Sequence, residues 1–206
     1  MITKVSTILL AAGLSERMGK DKLLLEYNGK TFLEHSIDLL IELPVFERII
    51  VTTDTRQKQI TIPHTIKLCI NPHPEKGISS SINIGVEAAT GTHYLFLTAD
   101  QPLLTTNDLQ PLLDAVDINP DNIIFPVINS KPSSPTIFPG IFKEQIRKLR
   151  GDNGGRVIRD ANKDLLYTIQ PANPSNFIDI DNAEDYAKMK GKKHDKRTIN
   201  RTCKRS

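Results

Sequence analysis

A largely apolar, β-branched run of seven residues, Val5 to Ala11 (VSTILLA), passes without a spacer into a polar loop of small and charged residues, Ala12-Gly13-Leu14-Ser15-Glu16-Arg17-Met18-Gly19-Lys20-Asp21-Lys22. This transition constrains the fold most. An unbroken apolar strand is the kind buried on both faces of a parallel sheet. The rest of the chain alternates accordingly. Thr31 to Leu43 carries Leu33, Ile37, Leu40 and Leu43 at near-helical spacing and stops at Pro44. Arg48 to Thr53 reads as a second strand and Ile66 to Ile70 as a third, ending at Asn71-Pro72. Ser79 to Thr90 reads as a helix closed by Gly91, and His93 to Ala99 as a fourth strand ending at Asp100. Asn107 to Val116 is helical in pattern and Asn122 to Val127 extended. The second half is less regular. Phe142 to Leu149, Gly155 to Ala161 and Asn182 to Lys190 read as helices, and Leu165 to Ile169 and Asn176 to Ile180 as extended. Alternating strands and helices predict one three-layer α/β/α domain with a mostly parallel sheet. Ligands in such sheets bind beyond the carboxyl ends of the strands. That directs attention to the residues just after Ala11, Thr53, Ile70 and Ala99.

Charge divides the chain. Its 206 residues carry a net charge of +3, but residues 188–206 hold nine of the 27 Lys and Arg and one acid, Asp195. The body, 1–187, is left with 18 bases against 23 acids. An acidic body argues against a broad nucleic-acid-binding face. The domain is expected over residues 1–190, and 191–206 are expected to form a basic, disordered, solvated tail. No apolar run reaches the roughly 18–20 residues of a membrane span. The first apolar stretch is short for a secretory signal and leads straight into charge. Two cysteines, Cys69 and Cys203, make neither a disulfide framework nor a cysteine zinc site, so a cytoplasmic setting is expected.

The loop after the first strand has the chemistry of a polyanion site. Small residues let a ligand approach the backbone closely, and backbone N–H groups cradle phosphate. Arg17 and Lys22 add positive charge. Two familiar loops are excluded. A P-loop has four residues between its glycines followed by Lys and Ser or Thr, whereas Gly13 and Gly19 enclose five and Lys20 precedes Asp21. The dinucleotide pattern needs three spaced glycines, and two are present.

Carboxylates at the sheet's ligand edge suit a hard cation. Asp100 ends an apolar strand, and magnesium takes one or two carboxylates alongside waters and substrate phosphates. Asp179 and Asp181 lie two apart in a segment read as extended, and one of them is expected to face the metal. Gly77 to Ser81 (GISSS) opens a helix whose dipole and free N–H groups favour an anion or a hydrogen-bonding base. Ordinary serine capping is the competing reading for Ser79, Ser80 and Ser81. The five histidines show no metal-ligand spacing.

The run LLAAGLSERMGKDKLLLEYNGKTFLEH closely resembles the opening motif, LAAGxSxRMGxxKxLL, of the MobA-like nucleotidyltransferases. Within them it is most similar to the molybdenum cofactor cytidylyltransferases. Gly77-Ile78-Ser79-Ser80-Ser81 with Gly85, Leu97 to Pro102 (LTADQP), Gly151 to Arg156 (GDNGGR) and Asp179-Ile180-Asp181 occur in the family's order, and the likeness spans about residues 5–190. It implies a Rossmann-like sheet. It also implies an NTP bound along Leu10, Ala11, Ala12, Gly13, Arg17, Lys22, Gly77 and Asp100, with base recognition by Ser81 and the Ser79-Ser80 backbone. Catalysis would fall to Arg17, Lys22 and Asp100. Mg2+ would be held by Asp100 and Asp181, with Asp179 the alternative.

The resemblance implies attack by a substrate phosphate on the α-phosphorus and release of pyrophosphate. Ala11-Ala12-Gly13 leans towards CTP, because guanylyl-transferring relatives commonly carry Ala-Gly-Gly there. Uridylyl-transferring relatives share the Ala-Ala-Gly form. The implied acceptor is molybdopterin, for delivery to a molybdenum hydroxylase. Ser133-Ser134-Pro135 before Phe138 departs from the family's Gly-x-Pro and puts the acceptor in question. Arg156 is a candidate for an acceptor phosphate, weighed against a surface role. Guanylyl transfer, transfer to a sugar or polyol phosphate, and a non-catalytic nucleotide-binding protein are the alternatives.

Overall fold

The computed structural model describes residues 3–14 and 21–191. Arg17 and residues 192–206, on which the basic-tail expectation falls, lie outside the described residues. The elements in chain order are β1 (Val5–Ala11), β2 (Glu26–Tyr27), β3 (Lys30–Thr31), α1 (Phe32–Glu42), β4 (Glu47–Thr52), α2 (Asp54–Gln57), β5 (Lys67–Ile70), α3 (Ile78–Ala88), β6 (His93–Thr98), α4 (Thr106–Ile118), β7 (Ile123–Ile128), β8 (Lys131–Pro132), β9 (Thr136–Pro139), α5 (Lys143–Arg147), α6 (Arg156–Ala161) and β10 (Leu166–Ile169). A last helix, α7, is described over 183–191.

The main sheet runs β10-β7-β9-β6-β1-β4-β5, with β8 folded back on β7. β1 pairs in parallel with both β4 and β6, and β4 with β5, which places β1 at the centre as its apolar run predicts. Ile8 and Leu9, adjacent along β1, are both fully buried and belong to different cores. Alternation sends Leu9 to the face covered by α1 and α4, and Ile8 to the face covered by α3, α5 and α6. Each such side chain removed from water stabilises the fold by about 1.5–3 kcal/mol.

Local chemistry places the helices. Thr31 and Glu34 form a reciprocal capping box at the start of α1, and Thr105 and Asp108 another at the start of α4. Gly85 lets α3 lie directly on β1, since a Cβ there would sit 2.4 Å from the Ile8 Cγ2.

The sheet is mostly parallel, as expected, with antiparallel pairing at β8, which runs against β7, and at β9, a strand not foreseen, which is wedged between β6 and β7 and runs against both. Its short, proline-bounded sequence hid it, although Ile137 and Phe138 fill opposite cores. Residues 176–180 are not a strand. A 3-10 turn, Pro174–Asn176, leads into an irregular segment that buries Phe177 and Ile180, and Ile180 donates its N–H to the Asp100 carbonyl at 3.0 Å. Apolar residues three apart suit a segment crossing the strand ends; a half-buried strand would place them two apart.

Candidate active site

The carboxyl ends of β1 and β6 open into a cleft of about 620 Å³. Leu10, Ala12, Gly13 and Leu14 form one wall and Gly77, Ile78 and Ser81 another; Lys22, Thr98, Asp100, Asp152 and Asp181 line it as well. Of the residues singled out from the sequence, Leu10, Ala12, Gly13, Lys22, Gly77, Ser81, Asp100 and Asp181 therefore meet in one place. Ala11 lies just behind, fully buried.

Lys22 is the hub. It opens a 3-10 turn, Lys22–Leu24, capped by Asp21, whose carboxylate accepts the Leu23 N–H at 3.1 Å. Its ammonium lies 2.8 Å from Asp100 Oδ2 and 2.9 Å from Asp181 Oδ1. Burial by itself would lower the Lys22 pKa; the Asp100 carboxylate, seconded by Asp181, outweighs it and holds the group above the usual lysine value. The lysine is thus a fixed cation at neutral pH.

Asp100 Oδ1, the carboxylate's other oxygen, is buried and has no hydrogen-bond partner among the described residues. A buried, unpaired carboxylate oxygen is costly unless a cation or donor satisfies it. Among the described residues no group of three or more His, Cys, Asp or Glu side chains is arranged to hold a metal. A cation that completes its shell with substrate oxygens and waters needs fewer, and Asp100 and Asp181 fit that requirement. Asp179 lies in the irregular segment and, unlike Asp181, is not among the residues that line the cleft. Crowding around its carboxyl, then repulsion from Asp100 and Asp181, pushes it up to about 7, with Lys22 pulling the other way.

The serines separate. Ser81 lines the cleft, whereas Ser79 and Ser80 border a second hollow with Lys76, Arg147 and Arg150. The Ser79 N–H donates to the Gly151 carbonyl at 3.1 Å and the Ser80 N–H to that of Gly77 at 3.2 Å, so both are engaged within the protein. Asn71, at the end of β5 and 2% exposed, donates to the hydroxyls of Ser80 (2.8 Å) and Ser81 (2.9 Å). Gly77 adopts φ +83°, and a Cβ on it would lie 2.4 Å from the Gly151 carbonyl carbon. The GISSS and GDNGG turns thus dock through a contact that only glycine permits. That docking brings Asp152 into the cleft. Arg156 points away: it is 82% exposed and pairs with Asp160 at 3.3 Å.

Sequence reasoning missed four contributors. Arg56 is buried behind the loop. Asn71 orders the serine hydroxyls. Thr98 lines the cleft with a buried Oγ1 that has no hydrogen-bond partner among the described residues. Gln101 ties the strand end to the Ser134 carbonyl (3.3 Å) and the Phe177 carbonyl (3.1 Å). Asn71 and Gln101 flank strand ends already marked for inspection, so position was the available signal.

Comparison with known proteins supplies the family and supports the fold. A model of the MobA-like NTP transferase domain matches residues 7–165. The molybdenum cofactor cytidylyltransferase of Escherichia coli is 26% identical, over 92% of this chain and 97% of its own length. A probable molybdenum cofactor guanylyltransferase of Rhodopirellula baltica is 32% identical, over 57% of this chain and 58% of that protein. The crystal structure of Rv0371c from Mycobacterium tuberculosis superposes with a TM-score of 0.79 at 19% identity, covering 91% and 97% of the two chains. The matched region holds β1, the loop, Lys22, the serine turn, Asp100 and the GDNGG turn, so the family and the cleft coincide: the chain belongs to the MobA-like NTP transferase family and is a nucleotidyltransferase.

Proposed function

We propose that the chain transfers CMP from CTP to the phosphate of molybdopterin, with release of pyrophosphate, using Mg2+ held by Asp100 and Asp181. The observation that carries this is the Asp100–Lys22–Asp181 arrangement on the cleft wall, with one Asp100 oxygen left without a partner among the described residues. The triphosphate lies along Ala12 to Lys22, where loop N–H groups, Arg17 and Lys22 meet its charge. Ser81, its hydroxyl held by Asn71, faces the base. A phosphate oxygen of the acceptor attacks the α-phosphorus in line; the new P–O bond forms as the bond to the β-phosphate bridging oxygen breaks. The attacking oxygen is already anionic, so no protein base is needed. Bound magnesium supplies charge withdrawal from the phosphate oxygens. Lys22 exchanges a carboxylate for a phosphate oxygen and offsets charge as the transition state forms. The protein acts by positioning and electrostatics.

Support for cytidylyl transfer comes from Ala11-Ala12-Gly13 and from the name of the E. coli relative. A cytoplasmic enzyme passing its product to a molybdenum hydroxylase fits this chemistry, and among the described residues no helix is long and apolar enough to cross a membrane. The test is pyrophosphate release from CTP, GTP, UTP and ATP with Mg2+ and molybdopterin. CTP should be the preferred donor. Preference for GTP favours guanylyl transfer, the reading carried by the name of the Rhodopirellula relative. Pyrophosphate release with a sugar or polyol phosphate, and none with molybdopterin, changes the acceptor.

A further inference from the structure

We propose that Arg56 is the positioning residue of the nucleotide loop: from behind the sheet edge it fastens both ends of the loop and turns the Ala12 and Leu14 N–H groups towards the cleft. This rests on the nucleotide-binding reading above. Arg56 lies in the four-residue helix α2, where Thr53 caps the helix by accepting the Arg56 N–H at 3.2 Å. Only 5% of the residue is exposed. Its guanidinium reaches three acceptors on the two arms of one loop. Nη1 donates to the Ala11 carbonyl, Nη2 to the Gly13 carbonyl at 3.0 Å, and Nε to Asp21 Oδ2 at 2.7 Å. Ala11 and Gly13 belong to the arm that leaves β1. Asp21 belongs to the arm that returns, directly before Lys22. One rigid, planar group therefore fixes the separation of the two arms.

The consequence for binding comes from peptide geometry. In a planar trans peptide the C=O of one residue and the N–H of the next point in opposite directions. Drawing the Ala11 and Gly13 carbonyls back to Arg56 turns the Ala12 and Leu14 N–H groups the other way. Ala12, Gly13 and Leu14 line the cleft, and Arg56 does not. Among the described residues no turn or loop hydrogen bond uses either N–H. Backbone N–H groups two residues apart and similarly directed make a concavity for an anion. Asp21 neutralises the buried guanidinium, which would otherwise be costly. Lysine cannot substitute, because an ammonium lacks the fixed fork that reaches three acceptors in one plane.

The experiment is calorimetric titration of the full chain with CTP and Mg2+, which needs no acceptor. Arg56→Ala should weaken CTP binding about tenfold through lost preorganisation, and millimolar guanidinium should restore part of the affinity. Arg56→Lys, which keeps the charge, should also bind more weakly than wild type. Arg48→Ala serves as the control: Arg48 caps the end of α1 through the Leu40 and Leu43 carbonyls at 2.7 and 2.6 Å. It should lower thermal stability and leave CTP affinity unchanged. Wild-type affinity in Arg56→Ala overturns the proposal; if that variant does not fold, wild-type affinity in Arg56→Lys does so. Affinity that is lost but unmoved by guanidinium also overturns it, in favour of a general structural role. A wild-type chain that binds none of the four NTPs is a different result. It defeats the nucleotide reading itself, and the Arg56 proposal with it.

Discussion

Two acids share the Lys22 ammonium and hold its pKa above the usual lysine value against the opposing effect of burial. Its ammonium is part-buried and reaches Asp100 from 78 and Asp181 from 159 positions away in the chain. Lys22→Ala should leave the fold intact and cost about 2.7–4 kcal/mol of transition-state stabilisation, the usual loss for one positioned electrostatic donor. Pyrophosphate release reads this, and wild-type turnover would refute the role. Asp179 gives a pH prediction for the metal-free chain. Although Asp179 is an exposed residue, crowding of its carboxyl by the surrounding protein, then the charges of Asp100 and Asp181, raise its pKa from 3.8 to about 7. Between those values the folded chain binds a proton that the unfolded chain has released, so this group's contribution to stability falls as pH rises through the window. Asp179→Asn removes that fall. Urea unfolding in EDTA should show the variant gaining on wild type between about pH 4 and pH 7, and parallel pH profiles would contradict it. At this scale the sequence pointed to residues of the loop after the first strand and of the fourth strand's end, Gly13, Lys22 and Asp100 among them. It could not reveal Arg56. A buried arginine in a single helical turn has no periodicity to betray it, and its partners are two backbone carbonyls and an aspartate 35 positions away.

Among the elements, the turn before α3 matters most. Gly77 holds a positive φ, and its missing Cβ leaves room for the Gly151 backbone. Gly77→Ala should cost about 1–3 kcal/mol through backbone strain, added to the cost of separating the two turns. It should also displace Ser81 and Asp152, so nucleotide affinity should fall together with stability in paired chemical-unfolding and binding measurements. Unchanged values in both would defeat the docking interpretation. Thr31→Ala supplies a contrast. It breaks the α1 capping box and should cost about 1 kcal/mol without altering nucleotide affinity. The helices and parallel strands were legible because burial on two faces leaves continuous apolar runs, and helices leave spaced ones. β9 was not, because Pro135 and Pro139 bracket a strand of four residues. The 176–180 segment was misread because its buried residues face the ends of the strands, a direction that alternation does not encode.

For the whole molecule, one sheet with a core on each face carries a site assembled from its carboxyl edge. Asp181 reaches that edge from the far end of the chain. Ile180 bonds to the Asp100 carbonyl, and Ile180, Met189 and Phe32 form a small cluster under α7, where Tyr186 donates to the Glu26 carbonyl at 2.6 Å. A chain ending at residue 178 should therefore lose both this packing and one proposed metal ligand, whereas one ending at 191 should keep both. Overall architecture was readable from element order alone. The convergence of Lys22, Asp100 and Asp181 was not, because no local pattern measures a distance across a fold; the family resemblance supplied it. The proposed mechanism stands or falls on the charge of Asp100. The decisive experiment is the rate of pyrophosphate release from CTP and molybdopterin with Mg2+ in Asp100→Asn, a substitution that preserves shape and removes charge. The rate should fall by at least about a hundredfold, the scale of a lost electrostatic centre, with folding unchanged. A rate equal to that of wild type would show that nucleotidyl transfer does not depend on this carboxylate.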